Sequence, residues 1–298
     1  MNYKTALDSE SIQTLMSLIA INWKEDPDTL RWLKKLIRVN LYNDGVNVIA
    51  EAAVKAIAED WKEDPDTLPW LKDLIRVYHN PDLQYVAVIE IAKGWKEDPD
   101  TLPWLKDLAL ALYDEHNYVR QAAVRAIAEG WKEDSNTLSF LKDLTLQKKD
   151  FVVRYEAVYA IAKGWKEDPH TLPWVKDFAL QDEHYPVRRE AVNAIAQVWK
   201  EDPDTLPWLK DRALLDEKYN VRQAAVTAIA RFWKEDPYTL PWLKDRALQD
   251  EYERVREAAV IAIAKNWKED PDTLTWLKDR ALQMETQRPF LVLQKGNY

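Results

Sequence analysis

Between Val221 and Trp233 apolar residues recur at Val221, Ala225, Val226, Ile229 and Trp233. Steps of four and three put these on one face of a helix of about three and a half turns. The next segment, Lys234-Glu235-Asp236-Pro237-Tyr238-Thr239, ends that pattern. Pro237 has no N–H to continue the hydrogen-bond ladder, and it pushes the residue before it out of helical geometry. A second apolar pattern follows: Leu240, Trp242, Leu243 and Leu248 are predicted to form a buried side, and Lys244, Asp245 and Arg246 to face outwards. Thr239, or the Asp one place earlier in most copies of this segment, is the expected N-cap. Pro241 falls in the first turn, where a missing N–H leaves nothing unpaired.

This two-helix pattern recurs along almost the whole chain. The phrase WKEDPDTLPWLK, with variations, begins at Trp23, Trp61, Trp95, Trp131, Trp165, Trp199, Trp233 and Trp267, at intervals of 38, 34, 36, 34, 34, 34 and 34 residues. A fixed period of this size predicts a solenoid, in which no unit can bury its own apolar face and each must stack on its neighbours. We read one repeat domain over residues 1–282 and a tail over 283–298. Ser11 to Trp23 supplies a leading helix whose outward Gln13, Thr14 and Ser17 suit a polar cap. The tail contains Phe290-Leu291-Val292-Leu293. It is expected to fold back on the last helix, since a free apolar tetrapeptide invites association.

The period also admits tetratricopeptide and ankyrin repeats, but the former want Gly in the first helix and the latter a Gly-bearing turn in every unit. This chain has 5 Gly in 298 residues. The unit instead resembles the HEAT repeat: an Asp stands six residues before an Arg that follows Val, and a small-residue helix comes next. The pairs are Asp114 with Arg120, Asp182 with Arg188, Asp216 with Arg222, and Asp250 with Arg256. The variety looks like the phycobilisome-lyase-type HEAT repeats common in cyanobacteria, including those appended to large signalling NTPases. The resemblance covers roughly Asp8 to Leu282. It implies an all-α, right-handed α-solenoid of about eight helical hairpins, with those four pairs forming a hydrogen-bonded ladder between adjacent repeats. Repeat two has Asp44 and Ala50 in these places, repeat three Tyr78 and Gln84, and repeat five Lys148 and Arg154, so the ladder is expected to be interrupted there. With helices packed about 8 to 10 Å apart, the stack is expected to be an arc about 70 to 80 Å long.

Function has to sit in what varies between copies. Positions ten, six and two residues before each leading Trp lie four apart, so they form one stripe per small-residue helix. The first reads Gln13, Glu51, Tyr85, Gln121, Tyr155, Arg189, Gln223, Glu257; the second Ser17, Lys55, Ile89, Arg125, Tyr159, Asn193, Thr227, Ile261; the third Ile21, Glu59, Lys93, Glu129, Lys163, Gln197, Arg231, Lys265. In HEAT-like solenoids the second helix of each unit lines the concave surface, so these stripes are expected to be a groove floor. A solvated helix face free to drift would also vary in this way. Tyr85, Ile89, Tyr155, Tyr159 and Ile261 are apolar or aromatic at otherwise polar positions, which is how interface anchors look. Repeats three and five are the expected hot spot, with Lys93, Arg125, Lys163, Arg189 and Arg231 orienting a partner.

The chain carries a formal net charge of −9. A strongly basic nucleic-acid binder is therefore not expected, since such proteins draw affinity from phosphate neutralisation. The stripes count seven basic against four acidic members, which suits an acidic peptide or protein. Cysteine is absent, so neither disulfides nor thiolate metal sites arise, and a reducing compartment is compatible. MNYKTALDSES shows no basic region followed by an apolar run, and no apolar stretch approaches the length of a membrane span. A cytoplasmic monomer is expected.

The 15 Trp recur at fixed repeat positions, which points to sealing the joints between units more than to ligand stacking. Deleting Trp208 as a buried aromatic would cost about 3 to 5 kcal/mol. Clusters such as Glu63, Asp64 and Asp66 lack the converging oxygens and Gly of a calcium loop and read as helix-capping groups. No metal or cofactor is expected. His79, His116, His170 and His184 fall in predicted turns without a second His at metal spacing, and no phosphate loop or nucleophile elbow is present. The expectation is a non-enzymatic scaffold or sensor surface that binds a protein on its concave face. The alternatives implied by the resemblance are a phycobilin lyase or chromophore chaperone, and a HEAT-like DNA-binding protein or alkylpurine DNA glycosylase. No residue motif here matches either.

Overall fold

The computed structural model describes residues 8–40, 47–111, 117–147 and 150–286. The Phe290–Leu293 segment, Asp44, Asp114, His116 and Lys148 lie outside them. Among the described residues there are sixteen helices and no strand. They are α1 (Ser9–Asn22), α2 (Pro27–Asn40), α3 (Asn47–Asp60), α4 (Thr67–Val77), α5 (Pro81–Gly94), α6 (Thr101–Leu110), α7 (Asn117–Gly130) and α8 (Thr137–Thr145). Then come α9 (Phe151–Gly164), α10 (Thr171–Gln181), α11 (Tyr185–Val198), α12 (Thr205–Leu215), α13 (Tyr219–Phe232), α14 (Thr239–Gln249), α15 (Glu253–Asn266) and α16 (Thr273–Thr286). The chain divides into two compact units, Met1–Gly164 with α1 to α9 and Trp165–Tyr298 with α10 to α16.

Within each unit the odd-numbered helices pack on one another in succession. Their small residues permit this close approach: Ala122, Ala123, Ala126 and Ile127 of α7 and Val221, Ala225, Ala228 and Ile229 of α13 are all buried. Each even-numbered helix from α2 to α14 packs mainly on the odd-numbered helix that follows it, as α12 does on α13 and α4 on α5. The hairpin therefore runs from the LPWLKD helix into the small-residue helix, one helix out of frame from the unit in which the sequence pattern was read. The small-residue helix is thus the second of each hairpin.

The turn after each small-residue helix is built by the recurring phrase. Trp199 N–H donates to the carbonyl of Ile195 at 3.0 Å, Asp202 N–H to Trp199 at 3.1 Å, and Thr205 N–H to Asp202 at 3.1 Å. Asp202 also accepts from the N–H of Asp204 at 2.8 Å on its side chain. The expected cap is not the one used: Asp66, Asp100 and Asp204 have helical backbone and make no capping bond with their side chains. The carboxylate two residues earlier closes the turn instead, and Thr205 and Thr239 are the first residues of their helices. Leu243 is buried as expected, but Leu248 is 45% exposed and Ala247 takes the buried place.

In the leading helix Gln13 and Thr14 are exposed and Ser17 is half-buried, but apolar groups face solvent beside them. Leu15 and Leu18 of α1 are 42% and 50% exposed, whereas Ala53 and Ala56 at the same register of α3 are buried. The tryptophans differ from expectation too, since most are half-buried and Trp23 and Trp32 are exposed. The second Trp series joins neighbouring even-numbered helices through lysine. Lys34 Nζ lies 4.8 Å from the Trp70 ring centre, Lys72 5.0 Å from Trp104, and Lys106 5.1 Å from Phe140. In the other unit Lys176 lies over Trp208 at 5.7 Å, and Lys210 and Lys244 over Trp242 and Trp276 at 5.8 Å. These are cation–π distances. Half-burial lowers the cost of deleting such a Trp: Trp208→Ala is expected to lose about 2 to 3 kcal/mol, from area removed from water plus the Lys176 contact. Urea unfolding checks this, and a loss near 5 kcal/mol would return Trp208 to the core.

Candidate functional site

Seen from the burial pattern, the stripes are the accessible edge of the odd-numbered helices. In α7 Arg120, Ala122 to Val124 and Ala126 to Ala128 are buried, while Gln121 and Arg125 are half-buried and Glu129 exposed. Of the anchors and orienting residues expected from sequence, Tyr85, Ile89, Arg125, Tyr155 and Tyr159 are half-buried, and Lys93, Lys163, Arg189, Arg231 and Ile261 are exposed. Arg189, Arg231 and Ile261 lie on α11, α13 and α15, one per helix.

In the unit Met1–Gly164 the stripe is joined into a network across three successive helices. Arg125 on α7 donates from Nη1 to the Tyr85 hydroxyl on α5 at 2.9 Å. Its Nε and Nη2 donate to Oε1 of Glu156 on α9 at 3.0 and 2.8 Å. Gln121 Nε2 donates to the Tyr155 hydroxyl at 2.7 Å. Repeats three and five, separate in sequence, are thus bridged by repeat four. Burial works against the charge of Arg125, but Glu156 and Tyr85 outweigh it and hold the guanidinium firmly protonated.

Glu156 is 4% exposed and was not read as a site residue. Its signal was present in the sequence, because it stands nine residues before Trp165 where several other copies have alanine, as at Ala122, Ala224 and Ala258, and only Glu190 repeats the carboxylate. A carboxylate on an alanine register inside a stack requires a cation across the joint, and Arg125 is that cation. Beside it a pocket of about 330 Å³ is lined by Arg125, Glu129, Lys132, Glu156, Tyr159 and Lys163. Lys163 pairs with Glu129 at 3.0 Å with both side chains more than half exposed, and Lys93 pairs at 3.0 Å with Glu90, which is 15% exposed. Such pairs orient side chains and add little stability.

At the other end of the same stripe, burial pushes the Glu51 carboxyl above its ordinary range, Asp82 adds to this, and Lys55 opposes it. A raised folded-state value favours the protonated form, so this group helps stability below the ordinary glutamate range and that help is lost as pH rises through the shifted value. Glu51→Gln should therefore raise the melting temperature at pH 7 by more than at pH 4, by calorimetry. Equal shifts at both would show the carboxyl to be fully solvated.

Of the predicted Asp–Arg pairs, the three from Asp182 to Arg256 form a ladder in a specific pattern, and Asp114 lies outside the described residues. Arg188 Nη1 donates to the backbone carbonyl of Asp182 at 2.8 Å, while its Nε and Nη2 reach the carboxylate of Asp216, one repeat on, at 3.1 Å each. Arg222 repeats this with the Asp216 carbonyl at 2.8 Å and Asp250 at 3.2 and 3.1 Å. Arg256 holds the Asp250 carbonyl at 2.7 Å. The hydrogen bonds to Asp216, outweighing burial, raise the Arg188 value further. Each Asp also accepts from the N–H two residues on, as Asp216 does from Lys218 at 2.9 Å and Asp250 from Tyr252 at 3.0 Å.

The expected interruption at repeat five does not occur as read. Arg120, with Asn117 Oδ1 and the Ala111 carbonyl at 2.7 Å, is met by Asp150 at 3.0 Å, a carboxylate two residues after Lys148. Arg154 itself donates to the Gln147 carbonyl at 3.2 Å. At repeat three the charge is replaced: buried Gln84 donates to the Ile75 carbonyl at 2.8 Å, which is the backbone half of the arginine's role. Ala50 of repeat two is buried and has no polar group to contribute.

No helix of the described residues is long and apolar enough to cross a membrane. No curated protein was found to match the chain. A family model of HEAT repeats matches residues 78–162, 138–230 and 213–287, which together take in well over half of the sequence. With stacked two-helix units and an Asp–Arg ladder across their joints, the chain belongs to the HEAT repeat family.

Proposed function

We propose that the chain is a non-enzymatic scaffold whose odd-helix stripe binds a protein partner, centred on α5, α7 and α9. HEAT repeats generally serve as protein-interaction scaffolds. The observation that carries the reading is the Tyr85–Arg125–Glu156 bridge, with Gln121–Tyr155 beside it and an open pocket at Tyr159. Large aromatic groups held in place before binding lose little freedom on association, which is the character of interface hot spots. Tyr159 and Ile89 are the anchors, because Tyr85 and Tyr155 already spend their hydroxyls inside the network. The cations of the stripe suit a partner with acidic groups around an apolar centre.

The test is affinity capture from a lysate of the source organism, with wild type beside Ile89→Ser/Tyr159→Ser and mass spectrometry of what is retained. The expected result is a protein held by wild type and lost from the variant, with circular dichroism unchanged. Equal retention by both, or none by either, would move the binding surface off this stripe.

A further inference from the structure

One irregularity of the period lies where α4 and α6 meet the start of α7. The interval from Trp95 to Trp131 is 36 residues, two more than in the regular copies, and the addition falls between α6 and α7. A pocket of about 590 Å³ opens there. That volume is in the range of small-molecule sites, and departures from an otherwise strict pattern are where function concentrates. Its apolar wall is Ile75, Trp104, Leu108 and Val119; of its charged members Arg76 pairs with Asp73 at 3.0 Å, Arg120 pairs with Asp150 at 3.0 Å, and the Lys72 ammonium lies 5.0 Å from the Trp104 ring centre.

Two comparisons with the regular repeats show why the space exists. Four residues after Trp174 stands Phe178, which packs on that ring with centroids 4.6 Å apart, and four after Trp208 stands Arg212, 5.7 Å over its ring. At the same register after Trp104 there is Leu108, which is too short to cover the indole in that way. The second comparison concerns the ladder. In Arg188 and Arg222 the Nε–H goes to the Asp of the next repeat. At Arg120 the corresponding residue is Lys148, Asp150 pairs with Nη1, and the buried Nε has no hydrogen-bond partner. Arg120 is 4% exposed. An orphaned, charge-bearing donor at that depth is costly unless an acceptor arrives.

We propose that this pocket binds a small amphipathic carboxylate, an aryl or alkyl chain ending in a carboxyl group. The chain would lie against Trp104, Leu108 and Ile75, and the carboxylate between Arg120 and Lys72, where it supplies the acceptor that the buried Arg120 Nε lacks and a counter-ion for Lys72. This site is independent of the stripe on the odd-numbered helices.

Isothermal titration of the full chain with 4-phenylbutyrate, and with 4-phenylbutan-1-ol as its uncharged counterpart, tests the proposal. Saturable 1:1 binding is expected, with the alcohol weaker by about tenfold or more, as loss of a charged hydrogen bond implies. Leu108→Phe places at this register the residue that α10 already carries, so it should fold as wild type by circular dichroism and abolish binding. Lys72→Gln should weaken the acid and leave the alcohol nearly unchanged. No saturable heat from the acid, equal affinity for acid and alcohol, or wild-type binding by Leu108→Phe would each overturn the proposal.

Discussion

Arg222→Met is expected to destabilise the unit Trp165–Tyr298 by about 3 to 5 kcal/mol, the scale of a buried ion pair broken from one side. Arg222 and Asp250 side chains are each 4% exposed. Removing the guanidinium leaves the Asp250 carboxylate inside the joint between α13 and α15 with the Tyr252 N–H at 3.0 Å, and it strips the Asp216 carbonyl of its donor. Methionine fills the stem's volume, so the loss reports charge and hydrogen bonding more than a cavity. Adding Asp250→Asn should recover part of it, since the amide oxygen still accepts from Tyr252 N–H without carrying a buried charge. The contrast is Arg31→Ala, which breaks the Arg31–Asp28 pair whose side chains are 83% and 77% exposed; it should change stability by no more than about 0.5 kcal/mol. Urea unfolding followed by circular dichroism measures all three. A loss under about 1 kcal/mol for Arg222→Met would show that water reaches Asp250 and that the ladder specifies register without stabilising it.

The repeating joint was legible in the sequence because it is built from local rules. Alanine, valine and isoleucine at steps of three and four can bury only one face, and Pro237 and its equivalents can only end a helix. What escaped the reading depends on pairs that lie a whole repeat apart. Lys176 reaching the Trp208 ring joins residues 32 positions apart, and a pattern read within one helix marks the lysine as an outward charge. The frame of the hairpin escaped for a similar reason, since apolar periodicity gives faces and not neighbours. Asp150 escaped because the ladder was sought at a fixed spacing, although a carboxylate two residues further on can meet Arg120.

The candidate site divides in the same way. The stripes were legible, since variability on one helix face requires only the helical period. The coupling of Tyr85 to Glu156 through Arg125 was not, because it needs the distances between three stacked helices. The exposed Leu15 and Leu18 show a further limit: with Gln13, Thr14 and Ser17 in the same helix, the pattern read as a polar face while apolar groups occupy the side turned from α3.

The Arg125–Glu156 pair gives the second large effect, and its asymmetry is the informative part. The Arg125 side chain is 37% exposed and that of Glu156 5%. Arg125→Met takes the guanidinium away from a carboxylate that is 5% exposed, and the expected loss is about 2 to 3 kcal/mol, reduced from the fully buried case by the partial exposure of the pair. Glu156→Ala should cost only about 1 kcal/mol: the guanidinium can rehydrate while keeping the Tyr85 hydroxyl, and alanine is what α7 and α13 carry at that register, Ala122 and Ala224. The double variant should then lie close to Glu156→Ala, since no buried charge remains. The acid dependence follows from the same asymmetry. Without Arg125, a carboxyl this buried is expected to favour its protonated form. A group raised in the folded state adds stability below its unfolded value and loses it as pH rises through the folded one. The deficit of Arg125→Met should therefore shrink towards pH 4 and be full at pH 7, while that of Glu156→Ala has no such recovery. Calorimetry at both pH values decides between this account and one in which Glu156 is reached by solvent, for which the two single variants would cost the same and titrate alike. Because Arg125 also fixes Tyr85, the Arg125→Met variant at pH 7 should lose affinity for any partner held at α5 and α9 even where Tyr159 is untouched.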